Sequence, residues 1–125
     1  MILNQTPNTL SFLSIDFLSK NYDQILIVPK KHFKYIENIN KKILHELIEH
    51  VSLMSKTLRQ THQGCNILLN DGKKAGQKVF HAHFHIIPRD KGDRVKIEKW
   101  KRKKMSKADF LKLNDRIKKA LIRYK

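Results

Sequence analysis

Three of the chain's seven histidines fall at alternate positions in the stretch VFHAHFHIIPR, residues 79–89: His81, His83 and His85. On an extended segment, alternate side chains point to one face, with same-face neighbours roughly 6.5–7 Å apart. The three imidazoles therefore share one side, while Ala82, Phe84 and Ile86 share the other, apolar side. Imidazole is mostly uncharged at neutral pH and serves as ligand, base or nucleophile. Three readings are open: a metal site, chemistry without a metal, or a solvated strand face. A metal needs one or two ligands beyond His-x-His. His32 can supply one, but Cys65 is the single cysteine, and the nearest carboxylates, Asp71 and Asp90, stand at no typical ligand spacing.

The preceding segment shifts the balance towards phosphate. Residues 70–78, NDGKKAGQK, carry two glycines that let backbone N–H groups approach an anion, together with the amide of Gln77 and the cation of Lys78. Phosphate donors leading into neutral histidines suit nucleophilic attack on phosphorus. The loop stabilises charge and a histidine carries the covalent intermediate.

Several elements must position these groups. LSFLSI (10–15) alternates as a strand, NYDQ (21–24) is a turn cluster, and ILIVP (25–29) is a β-branched strand ended by Pro29. Residues 39–60 form the clearest helix, with Ile43, Leu44, Leu47, Ile48, Val51, Met54 and Leu58 on one stripe. His45 and His50 of this helix belong to no cluster and are expected at the surface. CNILLN (65–70) is a strand, 71–78 a loop, 79–87 a strand ended by Pro88, and KGD (91–93) a turn. A last helix, about 106–123, has Ser106 as N-cap, and its stripe Phe110, Leu113, Ile117, Leu121 argues for a docked helix. The order β-β-α-β-β-α implies an α+β domain on an antiparallel sheet.

The 125 residues fit one domain, 1–125, with a basic C-terminal extension. No stretch approaches the ~20 apolar residues of a membrane helix. No signal-peptide pattern is present, so a soluble intracellular protein with no membrane partner is expected. The net charge is +16, of which the residues from Arg89 onward carry +11. Such a tail attracts phosphates and nucleic acid, or is simply a solvated lysine-rich face.

HAHFHII resembles the signature of the histidine triad family, in which three histidines alternate with apolar residues. The resemblance extends through NDGKKAGQKVF, ILIVPKKHF and SFLSIDFLSK, and on to IIPRDKGD and the final helix, like the small bacterial-type members. It implies a histidine triad fold whose sheet continues across a homodimer, joined through the long helices and edge strands. It further implies a cytoplasmic nucleotide hydrolase or nucleotidyl transferase (nuclear is open for a eukaryotic source) that needs no metal or other cofactor. Its substrates would be purine phosphoramidates, aminoacyl-adenylates or dinucleoside polyphosphates. His83 would be the nucleophile that attacks the α-phosphorus, His85 would contact the phosphate, and His81 and His32 would complete the cluster. Asn70, Gly76 and Gln77 match ribose- and phosphate-binding positions, and Phe12 and Ile15 match the base pocket.

Three departures bear on specificity. Ser14 stands where the family usually has a ribose-binding Asp, and Asp16 lies two residues on. Lys78 replaces a small polar residue, a cation suited to hold a more anionic leaving group or to alter its protonation. Nine residues precede the first expected strand, so the rest of the base-pocket wall is missing or comes from elsewhere. The alternative function is weak nucleic-acid binding or DNA-end processing through the basic tail.

Overall fold

The structure is a computed structural model that describes residues 1–14, 24–97 and 101–124. It divides into two compact units, Met1–Val95 and Lys96–Lys125. The first is built on strands β1 (Ile2–Gln5), β2 (Thr9–Leu13), β3 (Ile25–Pro29), β4 (Gly64–Leu69) and β5 (Phe84–Arg89), with helix α1 (Lys41–Leu58) between β3 and β4. The five strands form one sheet in the order β1-β2-β3-β5-β4, every pairing antiparallel. The expected α+β architecture is present. The second unit contains helix α2 (Lys107–Ile122).

Register decides what each face of the sheet carries. Ile27 pairs with Ser11 on one side and Phe84 on the other, and Ile25 pairs with Leu13 and Ile86. Residues directly opposite share a face, so Ser11, Ile25, Ile27, Phe84 and Ile86 look one way. That face meets Ile43, Leu47, Val51, Met54 and Leu58 of α1 in a single core. Ile27, Leu47 and Ile86 have no exposed surface, and full burial of each contributes about 1.5–3 kcal/mol. The adjacent row, Phe12–Leu26–His85–Leu68, faces away from α1.

Asn40 caps α1: its side chain accepts the Ile43 N–H at 2.9 Å, one of the donors a helix start leaves without a partner. The buried stripe is Ile43, Leu47, His50, Val51, Met54 and Leu58. His50 is thus a correction to the surface placement expected of it. It lies one turn from Leu47 and from Met54, on the covered side, and is 2% exposed. Polar partners make that burial tolerable: Nδ1 lies 2.8 Å from Thr9 Oγ1 and Nε2 lies 3.0 Å from Ser11 Oγ. Burial pushes the His50 imidazole below its usual range, with Glu46 pulling weakly the other way. Ile48, expected in the stripe, is instead exposed on its flank.

Two further corrections concern strands. β1 was not anticipated. It is a short, exposed edge strand with a register irregularity between Ile2 and Asn4, and Asn4 and Gln5 interrupt its apolar pattern. The histidine strand starts at Phe84, not Val79, and runs through Pro88 to Arg89. The β3 ladder stops at Ile27–Phe84. Continued, it would place Ala82 opposite Pro29, which has no N–H to give. Ala82 donates instead to the Phe33 carbonyl at 2.6 Å. At the other end β3 begins at Ile25, opposite Ile86, so Pro88 interrupts no β3 ladder among the described residues.

Helix α2 begins as its sequence requires, with the Ser106 hydroxyl accepting the Asp109 N–H at 3.1 Å. No residue of α2 is buried, however; Phe110 is 60% exposed, Ile117 52% and Leu121 48%. The docking that this stripe led one to expect is therefore not accompanied by burial.

Candidate active site

The three histidines keep their alternation although only His85 lies in the ladder. Ala82, Phe84 and Ile86 are buried, while His81, His83 and His85 are half-buried. Main-chain contacts hold the irregular segment before Phe84 in this extended arrangement. His81 Nε2 lies 2.8 Å from the carbonyl oxygen of Pro29, and His83 Nδ1 lies 2.7 Å from that of His81 itself. A carbonyl can only accept, so each of these ring nitrogens carries the proton. For neutral His83 the consequence is an unprotonated Nε2 with a free lone pair.

His85 is held differently. Its Nδ1 donates to Gln24 Oε1 at 3.1 Å. Burial first, and the charge of His83 second, hold the His85 imidazole below its usual range. Gln24 is itself buried. The sequence placed it in a turn cluster, so its role was missed. The available signal was parity with Leu26, the residue opposite His85.

The rings assemble in two edge-to-face pairs. His32 and His81 have centroids 5.2 Å apart, and His83 and His85 have centroids 4.8 Å apart. The exposed His32, distant in sequence, thus joins the cluster from the segment following β3. Among the described residues, no three His, Cys, Asp or Glu side chains form a group able to hold a metal ion.

The glycine loop borders this cluster in sequence and has a defined shape. Gly72 and Gly76 have φ of +98° and +97°, conformations that a side chain would strain. A Cβ at Gly76 would lie 3.6 Å from Asn70 Nδ2, so the half-buried Asn70 amide rests against the loop. The N–H groups of Ala75 and Gln77 donate to the Gly72 carbonyl at 3.1 Å, and that of Gly76 donates to the Lys73 carbonyl at 3.0 Å.

Gln77 corrects the expectation of an open phosphate donor. It is 3% exposed. Its Oε1 accepts the Gly72 N–H at 2.8 Å, and its Nε2 donates to the Lys34 and Val79 carbonyls at 2.8 and 3.2 Å. Both amide hydrogens are engaged, so the side chain ties the loop to the segment after β3 and to the entrance of the histidine stretch. The loop's free cations are exposed: Lys73, Lys74 and Lys78.

Of the remaining expected residues, Phe12 is half-buried in the cross-sheet row that contains His85. Ser14 is buried, and its N–H donates to the Gln24 carbonyl at 2.9 Å, next to the residue that holds His85. Ile15 and Asp16 lie outside the described residues.

The chain is 37% identical over 93 residues to an uncharacterized HIT-like protein of Methanocaldococcus jannaschii, a match covering 74% of this chain and 70% of that protein. It is 34% identical over 93 residues to the adenosine 5′-monophosphoramidase of Candida albicans, covering 70% of this chain and 60% of the relative's length. The crystal structure of a histidine triad nucleotide-binding protein from Candida albicans superposes with a TM-score of 0.85 at 28% identity, over 99% of this chain and 90% of that one. The family model described as HIT domain matches residues 2–92. With that model matched over most of its length, this chain belongs to the HIT domain family.

Proposed function

We propose that the chain is a nucleotide hydrolase or nucleotidyl transferase in which His83 Nε2 attacks the α-phosphorus of a purine nucleotide. The observation that carries this reading is the 2.7 Å bond from His83 Nδ1 to the His81 carbonyl. It puts the proton on Nδ1 and so supports Nε2 as the nucleophile. As the Nε2–phosphorus bond forms, the bond from phosphorus to the leaving group breaks. Water then displaces the histidine, releasing the nucleotide and restoring the neutral imidazole. No metal takes part in this scheme.

The other groups take their roles within the same reading. His85 contacts a phosphate oxygen, and the edge-to-face pair of His81 and His32 borders the reacting ring. Phe12 forms part of the base pocket, and Ser14 lies on the ribose side with Asp16. Asn70, set against Gly76, faces the phosphate loop, and Lys78 favours an anionic leaving group. The name of the Candida albicans relative supports a phosphoramidate as first substrate to try. Aminoacyl-adenylates and dinucleoside polyphosphates are the alternatives. Two copies would join through α1 and β4, where Ile48, Leu53 and Ile67 are half exposed.

The test is to trap the intermediate. Adenosine phosphoramidate labelled at its phosphorus, quenched in alkali during turnover, should leave label on the peptide that contains His83. The adduct should be acid-labile and absent from His83→Ala. Label on a different residue, or full hydrolysis by His83→Ala, would overturn the assignment.

A further inference from the structure

The second unit has no part in the proposed chemistry, yet its composition and exposure are distinctive. Residues 96–125 hold 13 Lys/Arg and 3 Asp/Glu, a net of +10. Lys101, Arg102, Lys103 and Lys104 form an unbroken basic run just before the Ser106 cap. On α2, Phe110, Leu113, Ile117 and Leu121 follow three- and four-residue steps and make one apolar stripe, while Lys112, Arg116, Lys119 and Arg123 occupy the opposite side. The stripe is largely open to water. A 16-residue helix with an uncovered apolar face is marginal on its own; contact with a partner along that face would stabilise it.

Charge narrows the choice of partner. A second α2 would bring +10 against +10, and like charge opposes that pairing. Nucleic acid complements the lysines but leaves Phe110, Ile117 and Leu121 in water. An anionic bilayer satisfies both features at once: phosphate headgroups for the cations and the acyl boundary for the stripe. No helix among the described residues is long and apolar enough to cross a membrane, so the contact is one of lying on the surface.

We propose that α2, with the basic run before it, lies along the surface of an anionic lipid bilayer. Phe110, Leu113, Ile117 and Leu121 enter the acyl boundary, while the basic run and Lys107 and Lys118, which border the stripe, meet lipid phosphates. The sequence alone gave no reason to expect a membrane partner; the exposure of the stripe supplies it.

The experiment is co-sedimentation of the full chain with vesicles. One set is phosphatidylcholine alone and the other contains one-quarter phosphatidylglycerol. The anionic set should bind at least about tenfold more tightly, with binding weakened between about 0.1 M and about 0.5 M salt. Phe110→Ser/Ile117→Ser/Leu121→Ser keeps every charge and should lose about tenfold or more. Lys101→Gln/Arg102→Gln/Lys103→Gln/Lys104→Gln leaves the helix sequence intact and should also weaken binding to the anionic set. Both variants should keep the parent's urea unfolding of the sheet unit.

Anionic-vesicle binding undiminished in either variant would overturn the proposal. So would binding to duplex DNA or RNA that survives the serine changes while vesicles go unbound, which would make nucleic acid the partner. Loss of a larger oligomer in the serine variant, again without vesicle binding, would make a second copy the partner and overturn it as well.

Discussion

The two faces of the sheet each carry histidine, and they treat it in opposite ways. On the face covered by α1, His50 is fully enclosed and both ring nitrogens have partners, Thr9 Oγ1 and Ser11 Oγ. On the other side, His83 is half-buried and has one ring nitrogen fixed by the His81 carbonyl. Complete satisfaction suits a structural histidine; half satisfaction leaves one ring nitrogen open to a ligand and gives the proton a defined location. The difference lies less in the residue than in how many of its nitrogens the fold engages.

The largest effect should come from removing the open nitrogen. His83→Ala should lower kcat on an adenosine phosphoramidate on the order of 10⁴-fold, with a steady-state assay as the measure. Its urea midpoint should stay near that of the parent, because a half-exposed ring is lost. A variant that unfolds early while keeping its rate would invert the contrast between the faces.

His50→Leu should do the reverse. It removes two buried hydrogen bonds, although Thr9 and Ser11 keep contacts with Thr6 and Asn4. The cost should be about 1–3 kcal/mol in urea unfolding, with kcat for the folded fraction little changed. A large drop in kcat at unchanged stability would show that the two faces are not separate in function.

A smaller loss, about 1 kcal/mol, is expected for Asn40→Ala, which uncaps the helix covering the closed face. Equilibrium unfolding is again the measure, and an unchanged midpoint would mean that water replaces the cap. The subtlest effect is on pH dependence. Burial holds both His50 and His85 below the usual imidazole range, so the unfolded chain takes up protons first as the solution is acidified. Their contribution to stability is complete above about pH 6.5 and fades as the pH falls towards their folded values. The acid-side slope of stability against pH should flatten in His50→Gln and in His85→Gln. Slopes identical to the parent's would remove burial as the common cause.

Much of the fold was legible in sequence where one periodicity dominated. α1, β3, β4 and α2 were located to within about two residues, the usual uncertainty of element ends. The histidine spacing put His81, His83 and His85 on one face even though half of that stretch is not a strand, because alternation of burial outlasts the ladder. What escaped was set by partners distant in sequence. His50 belongs to no cluster in sequence and so reads as a surface residue, although its steps from Leu47 and to Met54 put it on the buried stripe; Thr9 and Ser11 of β2 make that position acceptable. Gln24 and Gln77 were assigned by the company of their neighbours, whereas their amides are fixed by His85 and by the Lys34 and Val79 carbonyls. β1 escaped because an exposed edge strand needs no apolar alternation.

The carbonyls of Pro29 and His81 give the site a particular kind of inheritance. Both hydrogen bonds that set the tautomers of His81 and His83 end on main-chain oxygen, which every amino acid supplies. A side-chain mutation at those acceptor positions cannot delete the acceptor itself. His85 alone depends on a side-chain acceptor, Gln24. Variation can therefore retune the third histidine in single steps while the orientation of the other two is buffered, so the surroundings of His85 can diverge without disturbing His81 or His83.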